Sequence, residues 1–557
     1  MQRIELDNFR VFGSPASFDL APVTVLTGKN NSGKSSLIKA FLVLADYLEQ
    51  DDQTVLRLDG PRSAKHRITS FASLRNNSVS DFENVSFSYA TGDFVFEYDF
   101  DNDLDSTKAA LFQFIIHSTV LKDKLVLQRI SSARGVFELS VSQNFIDYLT
   151  GSPEEKDRIV GEGYYERELA QARKDLRFFQ NGDTQLVKNE LGDMERMSGA
   201  WLESPSVIEE RQRLTRRIEA LQEMVGVAKT NAGVFFRSEV TLQEKGLIAF
   251  TIPDLVQEAL AIYIVGDSAK RVKKFKFQDA ASERKLLVTF RQRVVELMSF
   301  SPYHLGPNRT HQARLFIPQQ GSSEIGAVAK AFVQARVAKD GLADQFLQAW
   351  LDRFEIGKRV DVNPFYDTGY SITVAIEGLE EPTSLADLGY GSGQLLAILL
   401  HIATVIQERE TLSKLRGQEL AVSAIILIEE PEANLHPFLQ SLLAEMFLEV
   451  AKQHRLLVIV ETHSEYMLRK MQLLVAGQKC APEDVVMHYL ERTRHIGEEE
   501  LGGGTFYAVN NRRITILPDG KLSEEFGPGF FDEADESAMA LFREQKKAAR
   551  AQKTSSL

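Results

Sequence analysis

The sequence predicts a mixed α/β protein, and three patterns lead to that prediction. Apolar runs at Val23–Gly28, Ala424–Ile428 and Leu456–Val460 are typical of buried parallel strands, because such strands are covered on both faces. Alternating apolar and polar residues between positions 85 and 140 predict an antiparallel sheet beside that core. After Pro153 the apolar residues change to helical spacing, which predicts an inserted helical subdomain.

The first apolar strand leads into Gly-x-x-x-x-Gly-Lys-Ser and then into an amphipathic helix. In such a loop the glycines let backbone N–H groups surround a phosphate, the lysine reaches the β and γ oxygens, and the hydroxyl faces Mg²⁺. The alternative for an isolated match is an ordinary glycine-rich turn. We expect a nucleotide to be bound by this phosphate loop, whose residues are Gly28, Lys29, Asn30, Asn31, Ser32, Gly33, Lys34, Ser35 and Ser36.

The region after the phosphate loop contains the predicted antiparallel strands and then two helices. The strands are Val85–Tyr89, Phe94–Tyr98, Phe112–Ile116, Leu125–Ile130 and Val136–Ser140. One helix has an apolar stripe from Tyr165 to Phe179, and the other begins with a capping box at Ser206–Glu209 and keeps heptad spacing to Ala228. Together they predict a short helical, coiled-coil hairpin, which either packs on the core as a subdomain or protrudes to dock a partner or to dimerise.

A second glycine-rich turn, Asp387–Gln394, precedes the apolar helix Leu395–Ala403. We call Asp387–Gln394 the signature turn. Its small residues at a helix N-terminus predict an anion-binding nest. One chain therefore has one phosphate loop but two anion-binding turns, which makes sense if the second turn serves the ATP of another subunit.

Two carboxylates, Glu429 and Glu430, end the buried strand that starts at Ala424. Acidic side chains at the end of a central strand seldom serve packing, although a strand that ends in a solvated turn would look similar. We expect Glu429 to orient a metal ion and Glu430 to polarise the attacking water as a general base. His463 follows the next buried strand. A single histidine is usually structural, but this position predicts a γ-phosphate sensor.

Composition limits the remaining possibilities. No apolar run has the length of a bilayer span and the first residues lack a signal-peptide pattern, so we expect a cytoplasmic protein without membrane contact. Cys480 is the only cysteine, which excludes an internal disulfide and a multi-cysteine zinc site. A net charge of −13 does not attract nucleic acid to the whole molecule. Local contact remains open at Lys270–Phe277, where cations and aromatic rings alternate, although such a run is more often a solvated face.

The order of these motifs resembles the ABC-type ATPases of the SMC, RecF and OLD (overcoming lysogenisation defect) group. The opening Arg3–Phe12 is similar to the first hairpin of that group, and Asn434–Pro437 resembles its Leu-His-Pro turn. The closer likeness is to stand-alone prokaryotic ATPases of anti-phage systems such as Septu and PARIS, which share the motifs Glu-Glu-Pro-Glu-x-x-Leu-His-Pro and Glu-Thr-His-Ser-Glu-Tyr. It covers the N-terminal hairpin, the phosphate loop and most of the chain beyond Ser301, including Tyr303–Arg309.

The resemblance implies a head-to-tail homodimer, or a higher oligomer, with two ATPs sandwiched between each phosphate loop and the opposing signature turn. It implies that Lys34 binds phosphate, that Ser35 and Glu429 face Mg²⁺, and that Ser392 and Gly393 touch the partner's γ-phosphate. Glu430 would then be the base and His463 the switch. The cofactors implied are ATP and Mg²⁺.

Three positions depart from the group's pattern. Asn31 replaces a common glycine, which asparagine tolerates because it accepts positive φ better than most residues. Glu429 replaces the usual aspartate, and Gly-Tyr-Gly-Ser-Gly-Gln replaces Leu-Ser-Gly-Gly-Gln, so the register around Ser392 is open by one residue. The sequence does not identify the group's Mg²⁺-contacting glutamine.

The chain of 557 residues exceeds one ordinary core, so we expect two or three structural units. The predicted segments are an N-terminal ATPase lobe at 1–150, a helical insertion at 151–232, a mixed connecting region at 233–300, a C-terminal ATPase lobe at 301–480, and strands with a basic helix at 481–557.

The sequence is compatible with two main functions. One is a dimeric ATPase that acts as the sensor or regulatory subunit of a prokaryotic anti-phage defence complex. The sequence has no Toprim-type acidic cluster and no His-Asn-His pattern, so its effector, a nuclease or toxin, would be a separate chain. The alternative is a RecF-like repair ATPase that acts directly on DNA. A transporter's ATP-hydrolysing subunit fits the inserted helical region less well.

Overall fold

The computed structural model describes most of the chain outside the predicted helical insertion. The described residues are 1–68, 70–76, 79, 84–102, 108–131, 136–151, 173, 187–188, 194–195, 215, 235–241, 251–265, 280–309, 313–317, 324–366, 369–416, 423–496, 505–527, 537 and 539–546. The two predicted helices of the insertion, apart from single residues, and the whole of Lys270–Phe277 lie outside them.

The strands and helices within the described residues have the following bounds. The strands are β1 (Arg3–Asp7), β2 (Ala16–Asp19), β3 (Val23–Gly28), β4 (Val55–Arg57), β5 (Val85–Thr91), β6 (Phe94–Asn102), β7 (Lys108–Ser118), β8 (Asp123–Ser131), β9 (Val136–Ser142), β10 (Val187–Lys188), β11 (Met194–Glu195), β12 (Phe235–Thr241), β13 (Phe300–Leu305), β14 (Arg359–Phe365), β15 (Gly369–Ala375), β16 (Thr383–Ser384), β17 (Ser423–Glu429), β18 (Leu457–Glu461), β19 (Val485–Ile496) and β20 (Thr505–Thr515). The helices are α1 (Lys34–Leu48), α2 (Pro61–Lys65), α3 (Phe71–Leu74), α4 (Gln143–Thr150), α5 (Ile252–Val265), α6 (Ala280–Met298), α7 (Glu324–Ala335), α8 (Leu342–Arg353), α9 (Tyr390–Arg416), α10 (Pro437–Gln453) and α11 (Glu465–Ala476).

The chain forms two compact units. The first comprises Met1–Gly92, Asp99–Ala110 and Glu296–Leu557, and the second comprises Asp93–Tyr98 and Leu111–Val295. The first unit therefore brings the predicted phosphate loop together with the predicted C-terminal lobe. The finer division into five segments stays a prediction.

A six-stranded sheet forms the centre of the first unit, in the order β13-β17-β18-β3-β19-β20. All neighbours pair in parallel except β19 and β20, which are antiparallel. Every residue of β3 is buried, as the unbroken apolar run predicted. In the register, Glu429 of β17 pairs with Glu461 of β18, and Glu461 pairs with Leu26 of β3. The ends of these three strands therefore meet at one edge of the sheet, beside the phosphate loop.

Antiparallel sheets form in both units, and all five predicted antiparallel strands are confirmed. In the first unit β1 lies between β2 and β5, and β14, β15 and β16 form a separate three-stranded sheet. In the second unit β8 and β9 lie between β7 and β12. The mixed α/β fold with antiparallel sheets is the fold class that the sequence predicted.

Helix α9 is much longer than the predicted helix Leu395–Ala403. It starts at Tyr390 and ends at Arg416, so it includes part of the signature turn. The stretch Tyr390–Lys414 is long and apolar enough to cross a membrane, but 78% of its most apolar 18-residue window is buried inside the fold. Burial of this kind is typical of a core helix.

His401 lies on α9 with its Nε2 atom buried and without a hydrogen-bond partner among the described residues. Burial lowers the pKa of His401 to about 4, and a hydrogen bond to the Tyr303 backbone only partly opposes this. The folded protein therefore keeps this imidazole neutral at a pH where the unfolded chain would bind a proton.

We predict that His401 makes the first unit less stable in acid. The pKa of His401 is lower in the folded state than in the unfolded chain, so its contribution to the free energy of unfolding is complete above pH 6.5. That contribution is lost as the pH falls towards 4. Between pH 7 and pH 5 this histidine lowers the free energy of unfolding by about 2 kcal/mol. In a Trp201→Phe background the fluorescence of buried Trp350 reports urea unfolding of this unit. A His401→Leu variant should show a smaller loss between these pH values, and equal losses in both proteins would contradict the prediction.

Candidate nucleotide-binding site

The phosphate loop joins β3 to α1 through a tight backbone. Gly28 has φ 125° and Gly33 has φ 111°, and a Cβ atom at Gly28 would lie 2.1 Å from the Leu490 carbonyl oxygen. Both positions therefore require glycine. Asn31 has φ 59°, in the left-handed region that asparagine tolerates, as its place in the loop predicted.

Lys34 is held by the loop itself. Its Nζ atom donates to the carbonyl oxygens of Gly28 and Lys29, both at 3.0 Å, and lies 4.0 Å from a carboxylate oxygen of Glu461. Burial lowers the pKa of Lys34, while Glu461 and then Glu430 act in the opposite direction. The ammonium group is thus placed at the loop with only neutral acceptors within hydrogen-bond distance.

The loop also offers polar groups that fit an anion. The Ser32 hydroxyl is fully buried and has no hydrogen-bond partner in the described part of the chain. Buried hydroxyls are normally paired, so a free one in a glycine-rich loop is consistent with a ligand-binding role. Together with Lys34 and the first turn of α1, this arrangement fits a triphosphate.

Glu461 is the last residue of β18 and contacts the start of α1. The Ser35 hydroxyl donates to its Oε2 atom at 3.0 Å. Burial raises the pKa of Glu461 to about 7, and the neighbouring Glu429 adds to the effect, while Lys34 lowers it. Sequence reasoning missed this residue. The signal was an acidic side chain at the end of a buried strand, in the same position as Glu429 at the end of β17.

Glu429 points to a different partner from the one that sequence reasoning assumed. Its Oε1 atom lies 2.7 Å from Nε2 of His304, which comes from the adjacent edge strand β13. The His66 ring packs edge-on against His304, with 4.6 Å between the centroids. Burial would raise the pKa of Glu429, but the hydrogen bond with His304 and the charge of that ring bring it below its usual value. The predicted metal-orienting role of Glu429 stays a prediction.

Glu430 has a constrained backbone. Its φ of 45° is unusual for a residue other than glycine. Its N–H donates to the carbonyl oxygen of Glu461 at 2.7 Å, and its own carbonyl accepts from Nη1 of Arg309 at 3.1 Å. Non-glycine residues in this region occur preferentially at functional sites, so the geometry is consistent with the predicted role as a base.

His463 is tied to the loop that follows Glu430. Its backbone N–H donates to Oε1 of Glu432 at 2.7 Å. Burial and then the charge of Lys34 lower the pKa of His463, while Glu430 raises it. The structure therefore brings His463 near both Lys34 and Glu430, where the sequence predicted a phosphate sensor.

The signature turn lies partly inside α9. Ser392 is half-buried and Gly393 is buried in the first turn of the helix, and exposed Gly389 and Tyr390 precede them. In the described part of the chain no hydrogen bond joins Ser392 or Gly393 to the phosphate loop. Their predicted role towards a partner's nucleotide stays a prediction.

Arg309 connects the signature turn to the acidic residues. It is fully buried, and its Nη1 atom donates both to Oε1 of Gln394 and to the carbonyl oxygen of Glu430, each at 3.1 Å. Burial lowers the pKa of Arg309 to about 10, against the attraction of Glu324 and other carboxylates. Its Nε and Nη2 atoms have no partner among the described residues. Sequence reasoning named this residue only within a similar segment and gave it no role.

We predict that Arg309 stabilises this part of the fold. Arg309→Met leaves the acceptors on Gln394 and Glu430 buried and unpaired, so the free energy of unfolding should fall by about 1–3 kcal/mol. The matched control is Arg314→Met, because Arg314 forms an exposed ion pair with Asp387 and its loss should cost less than about 1 kcal/mol. Urea unfolding followed by Trp350 fluorescence measures both variants, and equal costs would contradict this role.

Comparisons with known proteins identify the family of the chain. Three solved structures align with most of the chain: an Smc head domain with an extended coiled coil bound to the C-terminal domain of ScpA, from Pyrococcus furiosus (11% identity, TM-score 0.33, 98% of this chain and 99% of that chain), the SMC head domain from Thermotoga maritima (10%, 0.29, 91% and 97%), and an Smc head domain with a coiled coil and joint from Pyrococcus yayanosii (11%, 0.31, 91% and 96%). No curated protein matches the chain. A family model described as an AAA ATPase domain matches residues 1–218 and 329–468, which is more than half of the chain. The chain belongs to the AAA ATPase domain family.

Proposed function

We propose that this protein binds ATP with Mg²⁺ at the edge of its central sheet and hydrolyses the γ-phosphate bond. One observation carries the proposal: three adjacent parallel strands bring Lys34, Ser35, Glu430, Glu461 and His463 to one place around a phosphate loop. Phosphoryl transfer relies on positioned cations and a group that orients water, and this set supplies both.

The residues of the phosphate loop hold the nucleotide. Lys34 exchanges its bonds to the Gly28 and Lys29 carbonyls for phosphate oxygens, which are stronger acceptors because they are charged. Ser35 and a carboxylate from the end of a neighbouring strand would hold the metal ion. A bound Mg²⁺ supplies the charge that neutralises the β and γ oxygens.

Glu430 orients the attacking water and accepts its proton. The backbone of Glu430 is held by two hydrogen bonds: its N–H donates to the Glu461 carbonyl, and its carbonyl accepts from Arg309. These bonds fix the position of the Cα atom, so less conformational entropy is lost when the side chain takes its catalytic position. Glu432 positions His463 through the backbone N–H of that histidine, so the base and the proposed sensor move with the same loop.

The complete site forms in a head-to-tail homodimer. The signature turn supplies Ser392 and Gly393 to the nucleotide of the other chain, and its exposed residues Gly389 and Tyr390 leave this end of α9 accessible. Support comes from the sequence, which contains a second glycine-rich turn but one phosphate loop.

At the cellular level, we propose a regulatory ATPase of a cytoplasmic anti-phage defence complex that controls a separate nuclease or toxin. The proposal rests on the resemblance of the Glu-Glu-Pro-Glu and Glu-Thr-His-Ser motifs and on the lack of a second catalytic pattern in the sequence. It is tested by co-expressing the protein with the products of its neighbouring genes. Recovery of a stable complex with an effector supports the proposal, and purification of the chain alone in every combination contradicts it.

We predict that Glu430→Gln retains ATP binding but lowers turnover by a factor of about 10²–10⁴, because the glutamine cannot accept the proton of water.

Lys34→Ala should weaken ATP binding by about 10–100-fold, since charged hydrogen bonds to phosphate are lost. Phosphate release and the fluorescence anisotropy of a labelled ATP measure the two effects.

The matched control is Glu465→Gln. This glutamate follows His463 closely in the chain but forms a surface pair with Arg469, and its substitution should change neither quantity. Parental turnover in Glu430→Gln would show that the base is another residue.

We also predict that two inactive variants complement each other. Lys34→Ala removes the phosphate-loop lysine and Ser392→Glu places a negative charge at the signature turn, so neither homodimer has a working site. A mixed dimer has one intact site, formed by the loop of one chain and the signature turn of the other. Random pairing therefore restores about one quarter of the parental rate per site.

The experiment mixes the two variants in equal amounts after thermal melting has shown that both are folded. A mixture as inactive as its components contradicts the sandwich arrangement. Lys34→Ala mixed with Glu430→Gln is the control, because both substitutions affect the same side of the site and no mixed dimer regains a complete one.

A further inference from the structure

Two carboxylates lie side by side at the end of the central sheet but have different partners. Glu429 and Glu461 are paired in the register of β17 and β18. The carboxylate of Glu429 contacts the imidazole of His304 at 2.7 Å, on the side of β17 away from the phosphate loop. The carboxylate of Glu461 faces the loop and accepts a hydrogen bond from Ser35.

The distance between the side-chain oxygens of Ser35 and Glu461 matches the spacing of two ligands that bind the same cation. The Ser35 Oγ and Glu461 Oε2 atoms are 3.0 Å apart. Mg²⁺ binds oxygen ligands octahedrally at about 2.1 Å, so neighbouring ligand oxygens are about 2.9 Å apart. The two side chains already have the spacing of one edge of such an octahedron, with α1 and β18 holding one each.

The surroundings of Glu461 also favour a bound cation. The residue is only 6% exposed, and a buried carboxylate is costly without a positive partner. Lys34 lies 4.0 Å away, but its hydrogen bonds go to the Gly28 and Lys29 carbonyls, and the proposed function directs it to phosphate. Glu429, in contrast, already has the His304 ring.

Within the described residues no group of three or more His, Cys, Asp or Glu side chains is arranged to hold a metal ion. This agrees with a Mg²⁺ site of the nucleotide type, because such sites use one or two protein oxygens and complete the shell with phosphate oxygens and water.

We propose that Glu461, rather than Glu429, is the carboxylate that faces the divalent cation beside Ser35, and that Glu429 is a positioning residue bound to His304. The inference rests on the proposed function and names a further residue for the same site. Glu461 acts on the cation directly or through one bound water.

The test measures metal-dependent nucleotide binding, which does not depend on turnover. The affinity of the full-length protein for N-methylanthraniloyl-ATP is determined by fluorescence anisotropy in EDTA and in Mg²⁺, and the affinity for Mn²⁺ in the presence of ATP by electron paramagnetic resonance. The ratio of the two nucleotide affinities gives the metal enhancement for each variant.

Glu461→Gln should bind the nucleotide in EDTA as well as the parent but lose about tenfold or more of the metal enhancement and of the Mn²⁺ affinity. The glutamine keeps the size of the side chain and can still accept from Ser35, so the loss reports the charge. Glu429→Gln and the surface control Glu465→Gln should each change the enhancement by less than about threefold. An enhancement that Glu461→Gln retains, or that Glu429→Gln loses to the same extent, overturns the inference.

A second variant, Glu461→Asp, tests the inference if Glu461→Gln does not fold. Glu461→Asp keeps the carboxylate but shortens the side chain by one methylene. It should retain the fold and lose part of the Mn²⁺ affinity. Full parental affinity for Mn²⁺ counts against the inference. Failure of the proposed function is distinguishable, because the parent itself would then bind no nucleotide under either condition.

Discussion

The arrangement of the site depends on the parallel pairing of β18 with β17 on one side and with β3 on the other. Because β18 lies between the other two strands, its last residue, Glu461, stands between the phosphate loop and the acidic pair Glu429 and Glu430. Parallel strands end at the same edge of a sheet, so residues far apart in the chain meet there without a long connecting loop. The buried apolar runs fix the strands, and the polar residues that follow them form the site.

The main energetic consequence is a concentration of buried charge. The carboxylates of Glu429 and Glu461 are taken out of water, as are the cationic groups of Lys34 and Arg309. Each such group needs a partner, and the partners are specific: His304 for Glu429, Ser35 for Glu461, and Gln394 with a backbone carbonyl for Arg309. Replacing one partner leaves the other unpaired, so these residues connect the stability of the fold to the geometry of the site. Under the proposed function, the same surplus of acceptors beside the phosphate loop would favour a cation when a triphosphate binds.

Sequence reasoning predicted the elements that depend on local pattern. The buried parallel strands and the five antiparallel strands follow from spacing within a few residues, and the structure confirms them. It missed the contacts that depend on register between distant segments. Glu461 and Arg309 gain their partners only when β18 and the segment after β13 take their places, which no local pattern specifies. The early start of α9 at Tyr390 was missed for a different reason, because two glycines, Gly391 and Gly393, disfavoured a helix that tertiary packing of Gln394 nevertheless supports.

The proposed function places a triphosphate in the loop between β3 and α1, with its terminal phosphate beside Lys34 and the ends of β17 and β18. A crystal structure of the Glu430→Gln variant with ATP and Mg²⁺ tests this most directly. We expect density for the β- and γ-phosphates within hydrogen-bond distance of the loop N–H groups and of Lys34. A nucleotide bound elsewhere on the chain, with the lysine still held by the Gly28 and Lys29 carbonyls, would contradict it.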